Sequence, residues 1–276
     1  MFLIHSDLWQ SPTYSNNGYK YYILFVDDFS LYSWLYPLKK KSDAFVTFKY
    51  FRKFVENLFN TAIVYFQSDG SREYDNLAFG TFLLQHGIYF RESAPHTQQQ
   101  NGVNERKHRH IVETAPTFLI DAHMPDLYWS DAVLTAVYAI NRLPTPLLHG
   151  LSPFQKLFSK PPDYGFLRVF GSQCFPNLTP YTHNKLQPRS IRCVFIGYAP
   201  HYKAYKCLDP LTGRIYVSCH VIFHEHIFPY SMILASKPKS PLLTYFPSWS
   251  PISTQPHHVP PSAPFPLSFA HPVIFQ

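Results

Sequence analysis

The feature that most constrains the fold is an alternation of two hydrophobic periodicities in the first half of the chain. Apolar and aromatic runs at 2–9, 19–26 and 30–38 predict three successive strands in an antiparallel meander. A helical spacing of apolar residues follows over 42–59. Strand and helix patterns then alternate, at 61–66, 77–85 and 88–90. Such alternation predicts a mixed α/β sheet flanked by helices.

The second half begins with two more helices, one starting near Val103 and one over 128–143 that ends before Pro144. Pro116 lies inside the first of them and predicts a kink or an early stop, because proline removes a backbone hydrogen bond. Short strand-like runs then predict a small, mostly β module; they lie at 167–170, 193–196, 215–217 and 221–223. After Ser236 the chain has ten prolines and neither glycine nor an acidic residue, which predicts an extended, disordered tail.

These patterns divide the chain into four predicted segments. An α/β core domain would cover 1–150 and a linker 151–166. A small β-barrel-like module would cover 167–230, and a disordered proline-rich tail 231–276.

The charge balance indicates the kind of partner. With 24 Lys and Arg against 17 Asp and Glu, the net charge of +7 favours a polyanion, most simply nucleic acid. No stretch approaches the ~20 uncharged apolar residues that a membrane span needs, so no membrane partner is expected. The first residues lack the basic region of a signal peptide, and no clear targeting signal is present.

The four cysteines predict neither a disulfide framework nor a zinc site. None of them forms a C-x-x-C pair, so we expect reduced, buried thiols. A histidine group near Cys219 also lacks the close cysteine pair that a zinc site needs. The residues concerned are Cys174, Cys193, Cys207, Cys219, His183, His220, His224 and His226.

Three acidic residues are candidates for phosphoryl-transfer chemistry. Asp7 lies in the first strand pattern, Asp69 comes directly after the fourth, and Glu105 is near the start of a helix. Two-metal catalysis needs several carboxylates converging on two ions about 3.5–4 Å apart. Taken singly, each residue could equally be a turn, cap or first-turn acid. Asp27 and Asp28 compete for the role, although Asp28 is expected to order the turn that follows it.

The stretches around these residues resemble the copia-type integrases, which are retrotransposon members of the retroviral integrase superfamily. The matching stretches run in chain order as HSDLW at 5–9, YYILFVDDFS at 21–30, QSDG at 67–70 and QQNGVNERK at 99–107. The resemblance covers residues 3 to 230. It implies an RNase H-like fold, with a mixed five-stranded sheet flanked by helices, followed by a small mostly-β module.

The resemblance also implies an activity. Asp7, Asp69 and Glu105 would form a catalytic triad that holds two Mg²⁺ (or Mn²⁺) ions. Such integrases trim cDNA ends by water attack and then use the freed 3′-hydroxyl to attack target DNA. The implied partners are the cDNA ends and the target DNA. The family also implies a homo-multimer and a nuclear or intracellular location.

A basic run follows the third acid. On a helix, His108 and Arg109 share the face of Glu105, and a cation one turn from a metal-holding acid suits a neighbouring phosphate. The ordinary alternative is a solvated helix face with an internal ion pair. The predicted DNA-binding residues are Asn101, Arg106, Lys107, His108 and Arg109.

Several positions depart from the family pattern. Ser71 and Arg72 replace a glycine-rich turn, Gln10 replaces the glycine usual after Trp9, and the family's zinc-binding segment is not found in this sequence. Two other functions therefore stay open. One is a catalytically inactive remnant that retains only nucleic-acid binding, and the other is an RNase H-type nuclease.

Overall fold

The computed structural model describes residues 3–68, 77–92, 102–181, 184, 186–200 and 202–236. Its first sheet has the strand order β3-β2-β1-β4-β5. These strands are β1 (Leu3–Gln10), β2 (Tyr21–Asp27), β3 (Ser33–Leu38), β4 (Tyr65–Ser68) and β5 (Tyr89–Glu92). The first three form an antiparallel meander, and β4 and β5 add to it in parallel with β1. This topology confirms the predicted RNase H-like mixed sheet.

A second, wholly antiparallel sheet has the order β10-β6-β7-β8-β9. Its strands are β6 (Gln173–Pro176), β7 (Cys193–Tyr198), β8 (Tyr205–Leu208), β9 (Ile215–Ser218) and β10 (Val221–His224). The helices are α1 (Asp43–Phe59), α2 (Leu77–Gln85), α3 (Gly102–Asp121), α4 (Trp129–Ile140), α5 (Pro153–Phe158) and α6 (Pro229–Ser236). None of the helices in the described ranges has both the length and the apolar character needed to cross a membrane.

Strand β2 shows how the first sheet is covered on both faces. Its side chains alternate between faces, because successive residues of a strand point in opposite directions. Ile23 and Phe25 join a core cluster with α1 and α2, in which Phe25 stacks on Phe51 at 4.2 Å between ring centroids. Tyr22 and Leu24 join a second cluster with α3 and α4. Burial on both faces explains why β2 is apolar throughout rather than alternating.

Helix α4 lies between the two sheets. The sequence places its apolar residues on one face, yet ten of its twelve residues are buried in the structure. The side away from the first sheet is covered by β7, whose Val194 and Ile196 belong to the same core cluster. Strand β7 comes close to the helix at Gly197, where an added Cβ would lie 2.6 Å from the Thr135 hydroxyl. One continuous core therefore joins the two sheets.

The edge strand β3 is anchored by a buried amide just after α4. The Asn141 side chain accepts from the Ser33 N–H at 2.9 Å and donates to the Ser33 carbonyl at 2.8 Å. Both backbone groups of Ser33 are thereby satisfied, as buried polar groups require.

Two sequence predictions of local structure are wrong, and one alternative is decided. Of the kink or early stop predicted at Pro116, the early stop does not occur, because helix α3 continues through Pro116 to Asp121. The run at 167–170 is not a strand, because the Arg168 and Val169 N–H groups donate to the Tyr198 hydroxyl and the Glu225 carboxylate instead of to a strand. The disordered tail does not begin at 231, because α6 continues to Ser236; residues beyond it lie outside the described part.

The cysteines are free thiols, and three of the four are buried. The expectation of four buried thiols is therefore wrong for Cys219, which is exposed. Burial raises the pKa of the Cys193 thiol to about 12, with a contribution from the nearby Cys207. At neutral pH the Cys193 thiol is thus both shielded and protonated.

We expect Ellman's reagent to label one thiol rapidly in the folded protein, because thiolate fraction and access both control cysteine reactivity. The Cys219→Ser variant should lose this rapid phase, and four thiols should react in the unfolded wild-type chain. Rapid labelling that persists in Cys219→Ser would contradict the assignment of the exposed thiol.

Candidate active site

Asp7 lies on the central strand of the first sheet. Strand β1 runs between β2 and β4, and Asp7 pairs with Leu24 of β2. On its other side β1 is parallel to β4, with His5 opposite Gln67. Strand β4 ends at Ser68, the residue directly before Asp69, and Asp69 itself lies outside the described residues. The chain thus runs toward Asp69 along the strand next to the one that carries Asp7.

Glu105 lies in the first turn of α3 and is exposed. An acid in this position interacts favourably with the helix dipole. One turn later, the His108 Nδ1 lies 2.9 Å from the Asp7 Oδ2. This contact holds the helical turn that follows Glu105 against the strand that carries Asp7.

Aromatic rings line one side of the Asp7–His108 contact. The indole of Trp9 stacks on the Tyr22 ring at 5.0 Å and meets the Trp129 ring edge-on at 5.8 Å. Burial, together with the negative charge of Asp7, raises the pKa of the Tyr22 hydroxyl well above its usual value. Asp7 is therefore a half-buried carboxylate with an apolar wall on one side.

The competing acids at the end of β2 have structural partners. Asp27 is buried, and its Oδ2 accepts hydrogen bonds from the Ser30 N–H at 3.0 Å and the Ser30 hydroxyl at 2.6 Å. Asp28 instead pairs with the His5 Nε2 at 2.9 Å. The turn-ordering role predicted for Asp28 is therefore wrong, and it belongs to Asp27.

The predicted DNA-binding residues lie in different surroundings. Arg106 and Arg109 are exposed, whereas Lys107 is half-buried and burial lowers its pKa to about 8. His108 faces the protein and contacts Asp7. Asn101 lies outside the described residues. The sequence analysis put His108 on the face of Glu105 but missed its contact with Asp7, since helical spacing does not show which strand a face covers.

No group of three or more His, Cys, Asp or Glu residues that could hold a metal is found within the described ranges. The predicted triad cannot appear in such a group, because Asp69 is outside those ranges. Asp7 and Glu105 nevertheless offer carboxylate oxygens, which are the ligands that Mg²⁺ and Mn²⁺ prefer. The donor chemistry at this end of β1 therefore fits a hard divalent ion, and the triad stays a prediction.

The strand order of the first sheet, with acidic residues on β1 and α3, defines the class as an RNase H-like fold. Residues 172–236 match the family described as the retroviral polymerase SH3-like domain. The chain is 47% identical over 279 aligned residues to the retrovirus-related Pol polyprotein from transposon RE1 of Arabidopsis thaliana, covering 95% of this chain and 19% of that protein. It is 51% identical to the corresponding RE2 polyprotein, covering 83% of this chain and 16% of that protein.

Solved structures of low identity are also similar. The HTLV-2 integrase catalytic core domain in complex with magnesium matches with 19% identity and a TM-score of 0.41, over 56% of this chain and 94% of that chain. A simian T-cell lymphotropic virus intasome in complex with the PP2A regulatory subunit B56 gamma matches with 13% identity and a TM-score of 0.47. That match covers 79% of this chain and 75% of that chain.

The sequence matches settle the relationship. The chain belongs with the retrovirus-related Pol polyproteins of copia-like transposons, as a homologue of one segment of them. It spans less than a fifth of the length of those two relatives.

Proposed function

We propose that this chain is the integrase segment of a copia-type Pol polyprotein and joins cDNA ends to target DNA in a metal-dependent reaction. The observation that carries the proposal is the 2.9 Å contact between His108 and Asp7, because it joins the strand of one acid to the helix of another. The homology to Pol polyproteins supports the same function.

The residues have distinct roles in this proposal. Asp7, Asp69 and Glu105 would hold two Mg²⁺ or Mn²⁺ ions, which when bound activate the attacking oxygen and stabilise the leaving oxygen. The exposed Arg106 and Arg109 would contact phosphates on either side of the reacting bond. The apolar wall formed by Trp9 and Tyr22 would limit water on one side of Asp7 and so strengthen its interaction with a cation.

The remaining predictions belong to the same proposal. The cDNA ends and the target DNA would be the partners, and the acting species would be a homo-multimer in a nuclear or intracellular location. The division into a core (1–150), a linker (151–166), a β module (167–230) and a proline-rich tail that follows α6 also stays a prediction.

The test is a strand-transfer assay with the full chain, Mn²⁺ and labelled terminal-repeat DNA. We expect joined products with the wild type. The Asp7→Asn, Asp69→Asn and Glu105→Gln variants should each lower product to below about one hundredth, since loss of a residue that only supports a metal ligand already costs 10–100-fold. Asp28→Asn is the matched control, because Asp28 is an acid on the neighbouring strand end that pairs with His5.

Other outcomes identify the alternatives. Products that persist in Asp7→Asn would contradict the proposed site. No products from the wild type or from any variant, together with DNA binding that weakens as salt increases, would support the inactive remnant. Cleavage of an RNA–DNA hybrid without joining would support the nuclease.

A further inference from the structure

The side chain of His108 is held in one orientation by two aromatic rings, those of Trp9 and Tyr22. Its ring lies edge-on to Tyr22 at 5.9 Å and to Trp9 at 6.5 Å between centroids. Trp129 closes the group through its contacts with both of these rings. Such enclosure leaves the imidazole few alternative rotamers, and the Nδ1 edge of the ring points at Asp7.

The two ring nitrogens of His108 differ in their hydrogen bonding. A carboxylate can only accept, so the Nδ1 of His108 donates to the Asp7 Oδ2 at 2.9 Å. The other ring nitrogen, Nε2, is buried and has no hydrogen-bond partner among the described residues. A buried nitrogen without a partner destabilises a fold. A ring needed only to fill space would be better supplied by phenylalanine, so the hydrogen bond to Asp7 is the property that distinguishes His108.

We propose that His108 is a positioning residue that fixes the Asp7 carboxylate for metal binding. The inference rests on the proposed function, since it assumes that Asp7 is a metal ligand. His108 uses one oxygen of Asp7 and ties that carboxylate to the helical turn after Glu105. The two acids thereby keep a set spacing before any cation arrives. Groups that orient a metal ligand in this way typically contribute 10–100-fold to metal affinity.

Two substitutions separate the hydrogen bond from the packing of the ring. His108→Phe keeps an aromatic ring between Trp9 and Tyr22 but removes the donor. His108→Asn loses the ring but keeps a donor, because the Asn Nδ2 takes the place of the histidine Nδ1. A packing role predicts that the phenylalanine variant is the milder one. A positioning role predicts the opposite for metal binding.

The experiment is a titration of the full chain with Mn²⁺ alone, in which electron paramagnetic resonance measures the bound ion. Thermal melts in metal-free buffer measure the stability of each variant. We expect Asp7-dependent Mn²⁺ binding in the wild type and about 10–100-fold weaker binding in His108→Phe. The His108→Asn variant should bind Mn²⁺ with an affinity within about threefold of the wild type, because the hydrogen bond to Asp7 is kept. It should melt at a lower temperature, because the cavity left by the ring lowers stability.

Each other outcome overturns a defined claim. Equal or tighter binding in His108→Phe overturns the positioning role, as does binding by His108→Asn that is as weak as that of His108→Phe. Wild-type protein whose Mn²⁺ binding is absent, or unchanged in Asp7→Asn, overturns the proposed function itself and with it this inference.

Discussion

Replacing Gly171 by alanine is expected to lower the free energy of unfolding by about 2–5 kcal/mol. This loss is the sum of two costs, overpacking of the core and strain in a left-handed backbone conformation. Gly171 has a φ of +76°, and an added Cβ would lie 2.1 Å from the Cβ of Ala122. Ala122 is fully buried just after α3, and its methyl group has no rotamer that could move away. Either β6 or the end of α3 must therefore shift. Urea denaturation measures the loss.

The chain offers a control with the same backbone conformation. Gly18 also has a φ of +76°, but nothing lies within 4 Å of its added Cβ. Gly18→Ala should therefore cost only about 1 kcal/mol, from backbone strain alone. In a Gly171→Ala/Ala122→Gly double variant the clash is removed. Its loss of unfolding free energy should therefore be about 1–3 kcal/mol smaller than the sum of the losses in the two single variants. Equal losses at Gly18 and Gly171 would show that crowding against Ala122 is not the cause.

Replacing Lys206 by methionine should destabilise the protein by about 3–5 kcal/mol, because it leaves a buried carboxylate without its cation. The Lys206 ammonium on β8 forms an ion pair with Asp131 of α4, whose side chain is only 1% exposed. The second carboxylate oxygen of Asp131 has no hydrogen-bond partner among the described residues. Lys206 is therefore the main compensation for this charge, at the contact between α4 and the second sheet.

An exposed pair in the same region gives the matched control. Lys203 lies 3.0 Å from Asp163, with both side chains more than half exposed. Lys203→Met should cost less than about 1 kcal/mol, as is usual for surface pairs. Adding Asp131→Asn to Lys206→Met should restore part of the lost stability, because the buried charge is then gone. Equal unfolding midpoints for Lys206→Met and Lys203→Met would refute the buried-charge argument.

Hydrophobic periodicity in the sequence predicted the strands and helices whose burial pattern is visible within the element itself. The meander of β1 to β3 and helix α1 lie within a few residues of the predicted ranges. Two strands of the second sheet were not predicted correctly. Strand β6 lies at Gln173–Pro176 instead of 167–170, and β8 was missed. Strands of four residues leave too few alternating positions for a pattern, and their hydrogen-bond partners are distant in sequence.

The candidate site was predicted in its members but not in its contacts. Asp7 and Glu105 were selected because the stretches around them resemble a family, since spacing alone did not distinguish them from turn or cap residues. The roles of Asp27 and Asp28 were misassigned, because two adjacent acids look alike in sequence. Which one folds back onto Ser30 and which one reaches His5 depends on the path of the chain after β2.

The sequence by itself determined the alternation of strands and helices, the basic charge and the acidic residues of the candidate site. The first two depend on residue type and short-range periodicity, and the acidic residues were identified by the resemblance of the stretches around them to a family. Only the tertiary structure decided that α4 is buried between two sheets, that Gly171 faces Ala122 and that His108 turns inward onto Asp7. The physical reason is that each of these contacts joins segments far apart in the chain. Their packing is set by how the two sheets close over one shared core.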